Sequence, residues 1–189
     1  MKQAKVLSKS ELQRVLAVVA AGKHAERNRI AIMLSHYAGL RVGEIASLRW
    51  KQLLEADGSI KMVFYLDPTD TKCNEARAVH LNPLLVRELS KFKLTLSAWQ
   101  LQGPVITSQK GSAFSGNSLC QLFGRIYTAA GISGASSHSG RRWFITQLAH
   151  SGVSPKVIME LAGHKNLGTT QRYIEVNEQM KQRAVSLLN

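Results

Sequence analysis

The stretch Leu161-Ala162-Gly163-His164-Lys165-Asn166-Leu167-Gly168-Thr169-Thr170-Gln171-Arg172-Tyr173 decides how this chain is read. Pro155 opens a short helix with Val157, Ile158 and Leu161 as its apolar positions, and Gly163 is placed to break it. His164 follows at once. Thr169 to Tyr173 reads as a further helix start that presents the tyrosine near the same pocket. Two short helices around a turn also fit a helix-turn-helix, which would suit a basic DNA reader. A plain reader, however, gives no reason for the polar residues that precede this stretch in order: Arg41, Lys72 and His138-x-x-Arg141.

Ser136-Ser137-His138-Ser139-Gly140-Arg141-Arg142-Trp143-Phe144 has the composition of a helix entry, and Ile145, Leu148 and Ala149 continue that helix to Gly152. Three residues of separation place His138 and Arg141 on one face. Further upstream, a helix from about Ala25 to Ala38 carries Ile30, Ile32, Met33 and Tyr37, and Gly39 ends it, so that Arg41 falls in a turn. Gly43 to Leu48 reads as another short helix, with Ile45 and Leu48 inward and Glu44 available to orient a neighbouring cation. These residue types suit one chemistry. A phosphodiester under attack spreads negative charge over its non-bridging oxygens, guanidinium forks meet that charge with bidentate hydrogen bonds, and a tyrosine hydroxyl can serve as the nucleophile.

The segment His36-Tyr37-Ala38-Gly39-Leu40-Arg41-Val42-Gly43-Glu44-Ile45, the box His138-Ser139-Gly140-Arg141 and the run from Leu161 to Tyr173 together resemble the tyrosine recombinases, or phage integrase family. The resemblance extends from about Leu7 to Val176. It implies a mainly helical α+β catalytic domain of the DNA breaking-rejoining type with a small antiparallel sheet. It also implies a catalytic set of Arg41, Lys72, His138, Arg141, His164 and Tyr173, with Glu44 and Arg142 in possible support. In the mechanism so implied, Tyr173 attacks the scissile phosphate, leaving a 3′-phosphotyrosyl link and a free 5′-hydroxyl. His138 accepts the tyrosine proton, Lys72 protonates the departing oxygen, and neither ATP nor a metal ion or other cofactor is called for. Arg142 is expected as a phosphate contact or a surface charge. Most relatives carry Leu at the position of Gly140, so packing beneath the site is expected to differ here.

Bulk properties agree with a nucleic-acid partner: 25 Lys and Arg against 12 Asp and Glu give a formal net charge of +13, which suits a polyphosphate surface. The 189 residues, 44% apolar, can bury one core, and no linker-like tract divides them. One domain over 1–189 is expected. The longest apolar stretch, Leu16 to Ala21, is too short to cross a bilayer, and the expectation is a cytoplasmic, nucleoid-associated protein. Cys73 and Cys120 lack paired-ligand spacing, which argues against a disulfide framework or a zinc site.

Other elements read in order are a first helix after the capping box Ser8-x-x-Glu11, bearing Leu12, Val15, Leu16 and Val19, then strands at Ile60 to Leu66 and Ala76 to Leu81. Between the strands, Asp67 to Glu75 forms a hairpin connection with Lys72 near its tip. A helix with Leu84, Leu85, Leu89 and Phe92 carries on from Pro83 to Trp99. Another, from Asn117 to Ala129, buries Leu119, Leu122, Phe123, Ile126 and Tyr127.

Only a few residues precede the first helix, so the separate N-terminal core-binding domain that most family members carry is expected to be absent, leaving a catalytic domain alone or a fragment of a longer integrase. The tail over 177–189, with Met180, Ala184, Val185, Leu187 and Leu188, reads as an apolar-faced helix that either docks on a neighbouring protomer or folds back. The partners implied are double-stranded DNA, further copies of the chain as a homotetramer on DNA, and accessory DNA-bending proteins, with no membrane. The alternatives are a non-catalytic DNA-binding regulator, a mobile-element relic that kept the fold, and a type IB topoisomerase.

Overall fold

Ser8 starts the first helix by accepting the Glu11 amide on its hydroxyl at 3.1 Å, while the Glu11 carboxylate takes the Ser8 amide at 2.9 Å. The computed structural model describes residues 3–70, 76–174, 176 and 178–188, without the side chains at 70, 179, 180 and 183. Helix α1 spans Lys9–Ala20 and buries Leu12, Val15 and Val19. Helix α2, Ala25–Tyr37, buries every residue from Ile30 to His36, as a helix does when it is covered by neighbours on most sides. Gly39 adopts φ 64° just past its end, a conformation open to glycine at little cost. Arg41 then caps the short helix α3, Val42–Ser47.

Helix α4, Trp50–Leu53, was not expected from the sequence; it is a single turn held by the burial of Trp50 and Leu53 and by the Gln52 side chain on the Arg49 amide at 2.8 Å. Strands β1, Val63–Leu66, and β2, Arg77–His80, pair antiparallel with Val63 opposite His80 and Leu66 opposite Arg77. Both are shorter than the apolar runs suggested; at the start of β1, Ile60 instead bridges Leu54. Phe64, Leu66 and Val79 face the core. Residues 71–75, with Lys72 and Cys73, lie outside the described residues.

Helix α5, Pro83–Leu94, stops well before Trp99. Its end is turned by the Thr95 hydroxyl on the Phe92 carbonyl at 2.8 Å, and Gln100 takes both the Ser97 amide and hydroxyl on its side-chain oxygen, at 2.9 and 2.8 Å. These local bonds compete with helix continuation. Helix α6 is Gly116–Ala129, α7 is Ser139–His150, α8 is Pro155–Ala162, α9 is Leu167–Gln171 and α10 is Glu178–Val185. Ser115, Ser154 and Asn166 cap α6, α8 and α9 with side-chain oxygens. Among the described residues, no helix is long and apolar enough to cross a membrane.

Two hydrophobic clusters result. The large one gathers α1 to α6, the sheet and Trp143, and the small one joins Ile145 and Ala149 of α7 to Ile158 and Ala162 of α8, with Tyr173 and Ile174 packed against it. Helices α2 and α7 cross at Gly140. A Cβ there would sit 2.7 Å from His36 Nδ1 and closer still to the Ser35 hydroxyl. The absence of a Cβ at Gly140 leaves room for α7 to lie against Ser35 and His36 of α2.

His36, fully buried at this crossing, donates Nδ1–H to the Ile32 carbonyl at 2.8 Å, and its Nε2 has no partner among the described residues. Burial pushes its pKa from 6.5 down to about 4. The unfolded chain thus binds the extra proton between those values, and stability falls as pH drops from about 6.5 towards 4. At 1.36 kcal/mol per pH unit the loss approaches ~3 kcal/mol. Urea titrations at a series of pH values should show this slope, and His36→Gln should flatten much of it; equal slopes in the two proteins would contradict it.

Candidate active site

The end of α8 leaves carbonyls that no helical amide can reach, and three arginines from three separate elements take them. Arg77 of β2 donates to Leu161 O at 2.8 Å, Arg141 of α7 donates to Ala162 O, and Arg41 at the start of α3 donates to Gly163 O at 3.2 Å. Cations at this end also complement the helix dipole. Arg141 reaches back to Gly39 O at 2.7 Å, tying α8 to the turn that carries Arg41. Gly163, with φ 61°, closes α8, and a Cβ on it would clash with the Arg77 side chain.

Glu44 neutralises part of this charge. Its buried carboxylate accepts the Arg41 amide at 2.8 Å, Arg41 Nη1 at 2.7 Å and Arg77 Nη2 at 2.8 Å, so one carboxylate holds two guanidinium groups in place. The third, Arg141, is pushed down to about 9 by burial and then by Arg41, which leaves it protonated at neutral pH. Burial and the Arg41 charge likewise act to lower Arg77, against the Glu44 charge. Among the described residues, these three cations are balanced by the Glu44 carboxylate alone, which leaves a positive potential that favours a further anion.

His164 leaves the α8 terminus beside these arginines. Its Nδ1 lies 2.8 Å from the Thr170 hydroxyl, and its ring stacks on that of Tyr173 with centroids 5.9 Å apart and planes 20° from parallel. Burial first, then Arg141, Arg41 and Arg77, hold its pKa down at about 4, so it is neutral at pH 7. It contributes hydrogen bonds rather than charge. Tyr173 lies just beyond α9, which begins earlier than the sequence suggested because Asn166 caps it, and its amide bonds to Thr170 O at 3.0 Å.

His138 sits at the N-cap of α7 and is exposed, whereas Arg141 is buried. Arg141 faces the α8 end, and His138 lines an open groove of ≈ 530 Å³ with Arg142, Arg172 and Tyr173. The structure thus brings Arg41, Glu44, Arg141 and His164 together, links His164 to Tyr173 by stacking, and places His138 in the groove on which Tyr173 opens. Lys72 lies outside the described residues. Among the described residues, no group of three His, Cys, Asp or Glu side chains is arranged to hold a metal ion.

Arg77 is the member of this cluster that sequence reasoning missed. A signal was present: Arg77 stands two residues before the buried Val79, so strand alternation turns it to the same inward face, where an arginine must find partners.

The chain matches the model of the phage integrase family over residues 5–180. It is 25% identical over 191 residues to transposase A of transposon Tn554 from Staphylococcus aureus, covering 94% of this chain and 50% of that protein. It is 28% identical over 159 residues to tyrosine recombinase XerC of Lactobacillus delbrueckii subsp. bulgaricus, covering 81% of this chain and 52% of the relative. The chain therefore spans about half the length of the curated relatives it matches. Among solved structures, the Tn1549 transposon integrase in complex with circular intermediate DNA superposes with a TM-score of 0.80 at 16% identity, covering 100% of this chain and 68% of that one. The XerA recombinase superposes at 0.76 and 19%, covering 100% and 66%. These likenesses establish the mainly helical α+β fold with its small antiparallel sheet.

Proposed function

Because the chain belongs to the phage integrase family, we propose that it is a site-specific DNA recombinase that cuts and rejoins double-stranded DNA through a tyrosine-linked intermediate. The observation that carries this reading is the cluster of Arg41, Arg77 and Arg141 around the single Glu44 carboxylate, adjoining the His164–Tyr173 stack. A scissile phosphate is the anion that such a cluster suits. Arg41 and Arg141 would bind its non-bridging oxygens and gain strength as charge grows there in the transition state. With the Thr170 hydroxyl donating to Nδ1, His164 carries its proton on Nε2 and adds a neutral donor.

In the proposed reaction the Tyr173 oxygen attacks phosphorus as the bond to the 5′-oxygen breaks. The phenol proton goes to His138, which lines the same groove, and Lys72 gives a proton to the departing 5′-oxygen. The phosphotyrosyl bond keeps the energy of the broken phosphodiester. Attack by a 5′-hydroxyl then reverses the steps and rejoins a strand. The exposed apolar residues Val176 before α10, Val185 at its end, and Leu187 and Leu188 beyond it favour docking of this tail on a neighbouring protomer, as a homotetramer on DNA would require.

A duplex taken from the gene's flanking DNA, nicked near the candidate cleavage site so that the cut end diffuses away, tests the reading. The expected product is a protease-sensitive protein–DNA band on a denaturing gel, with the nucleotide mass on the peptide that contains Tyr173. Tight binding without any covalent species, across several flanking duplexes, would instead identify a non-catalytic DNA-binding regulator.

A further inference from the structure

We infer that Arg142 is a positioning residue for the nucleophile: anchored on the N-terminal segment at Ala4, its guanidinium holds the Tyr173 ring beside His164. This rests on the reading of Tyr173 as the attacking group. The sequence alone suggested a phosphate contact or a surface charge, and the geometry is different. Arg142 Nη1 donates to Ala4 O at 2.6 Å, and its Cζ lies over the Tyr173 ring, 5.3 Å from the centroid. Its Nε is buried and has no partner among the described residues, so that edge of the half-buried group faces the protein. The anchor is itself fixed, because the Lys5 amide bonds to Gly134 O at 2.9 Å and Leu7 is buried in the main core.

Tyr173 needs such support. It falls after α9 has ended, and the backbone there offers its amide a single turn bond to Thr170. The ring direction is therefore set by side chains: the small cluster of α7 and α8, the His164 ring and the Arg142 cation. A cation over a tyrosine face is attracted by the ring quadrupole. An arginine fixed at one end by a carbonyl acts on that ring with little freedom left to lose, and modest misplacement of a nucleophile is costly in rate.

Two variants separate charge from packing. Arg142→Met keeps the bulk without the cation, and Arg142→Lys keeps the cation without the fork. The first readout needs no DNA. With 3-fluorotyrosine incorporated, the 4 tyrosines give separate fluorine signals, and Tyr173→Phe identifies that of Tyr173. Arg142→Met should shift and sharpen the Tyr173 signal alone, while Arg142→Lys should leave it near its original place. An unmoved Tyr173 signal in Arg142→Met overturns the inference. Should all signals move, showing a lost fold, the decision passes to Arg142→Lys, for which a displaced Tyr173 signal in an otherwise intact spectrum overturns it.

The second readout is the rate of covalent linking on the nicked flanking duplex at saturating protein. Arg142→Met should link about tenfold more slowly at unchanged DNA affinity, with most of the rate recovered in Arg142→Lys. Equal rates in all three proteins would overturn the positioning role. A parent protein that links no DNA would sink the recombinase reading, and the fluorine signals alone would then decide what Arg142 does to the ring.

Discussion

Tyr173→Phe is expected to fold, to bind duplex DNA with the parent affinity, and to form no covalent complex. The substitution removes one oxygen and keeps the ring, so the stack on His164, the Arg142 cation and the packing on the α7–α8 cluster all persist. In the proposed recombinase DNA affinity would rest on the arginines, whose positions are fixed by Glu44, Gly39 and the last carbonyls of α8, none of which involves the phenol oxygen. In the proposed reaction cleavage depends on that oxygen, and the expected loss is about 10⁴-fold or more. Native gels measure binding and denaturing gels measure linkage on the same nicked duplex. Full linkage by the variant would remove Tyr173 from the mechanism.

Glu44→Gln should be the most destabilising exchange of a polar site residue for its near isostere. The carboxylate is 2% exposed and balances both Arg41 and Arg77. A neutral amide of the same shape retains at most one acceptor oxygen and leaves buried guanidinium charge uncompensated, which costs roughly 3–5 kcal/mol. Urea unfolding of the DNA-free protein measures that loss. In the proposed complex a duplex supplies phosphate to the same cluster, so DNA should raise the melting temperature of the variant more than that of the parent. Linkage should slow even at saturating DNA, because Arg41 has lost its bidentate anchor through side chain and backbone. Parent-like stability would show that Glu44 does not carry the charge balance of the site.

Much of the fold was legible because it rests on local rules. The Ser8–Glu11 box, the stop at Gly39, Pro155 and the left-handed Gly163 each act within one helical turn of their own position. Helix α4 and the early end of α5 were not legible, because a single turn is held by the burial of Trp50, and the Thr95 and Ser97 bonds outcompete a pattern that could have continued as helix. Gly140 stood out in the sequence as an unusual choice. Its reason, contact with Ser35 and His36, belongs to a helix crossing more than a hundred residues away in the chain.

The order and type of the polar residues by themselves determined the family, the helical class and the names of most candidate site residues, since an arginine, a histidine and a tyrosine keep their chemistry wherever they are placed. Only the tertiary structure decided which of them meet. It buried Arg141 while leaving His138 exposed in the groove beside Tyr173, admitted Arg77, set the Arg142 guanidinium over the Tyr173 ring, and left His164 neutral. Those outcomes depend on burial and on distances between charges, and both are set by elements that pack together from distant parts of the chain.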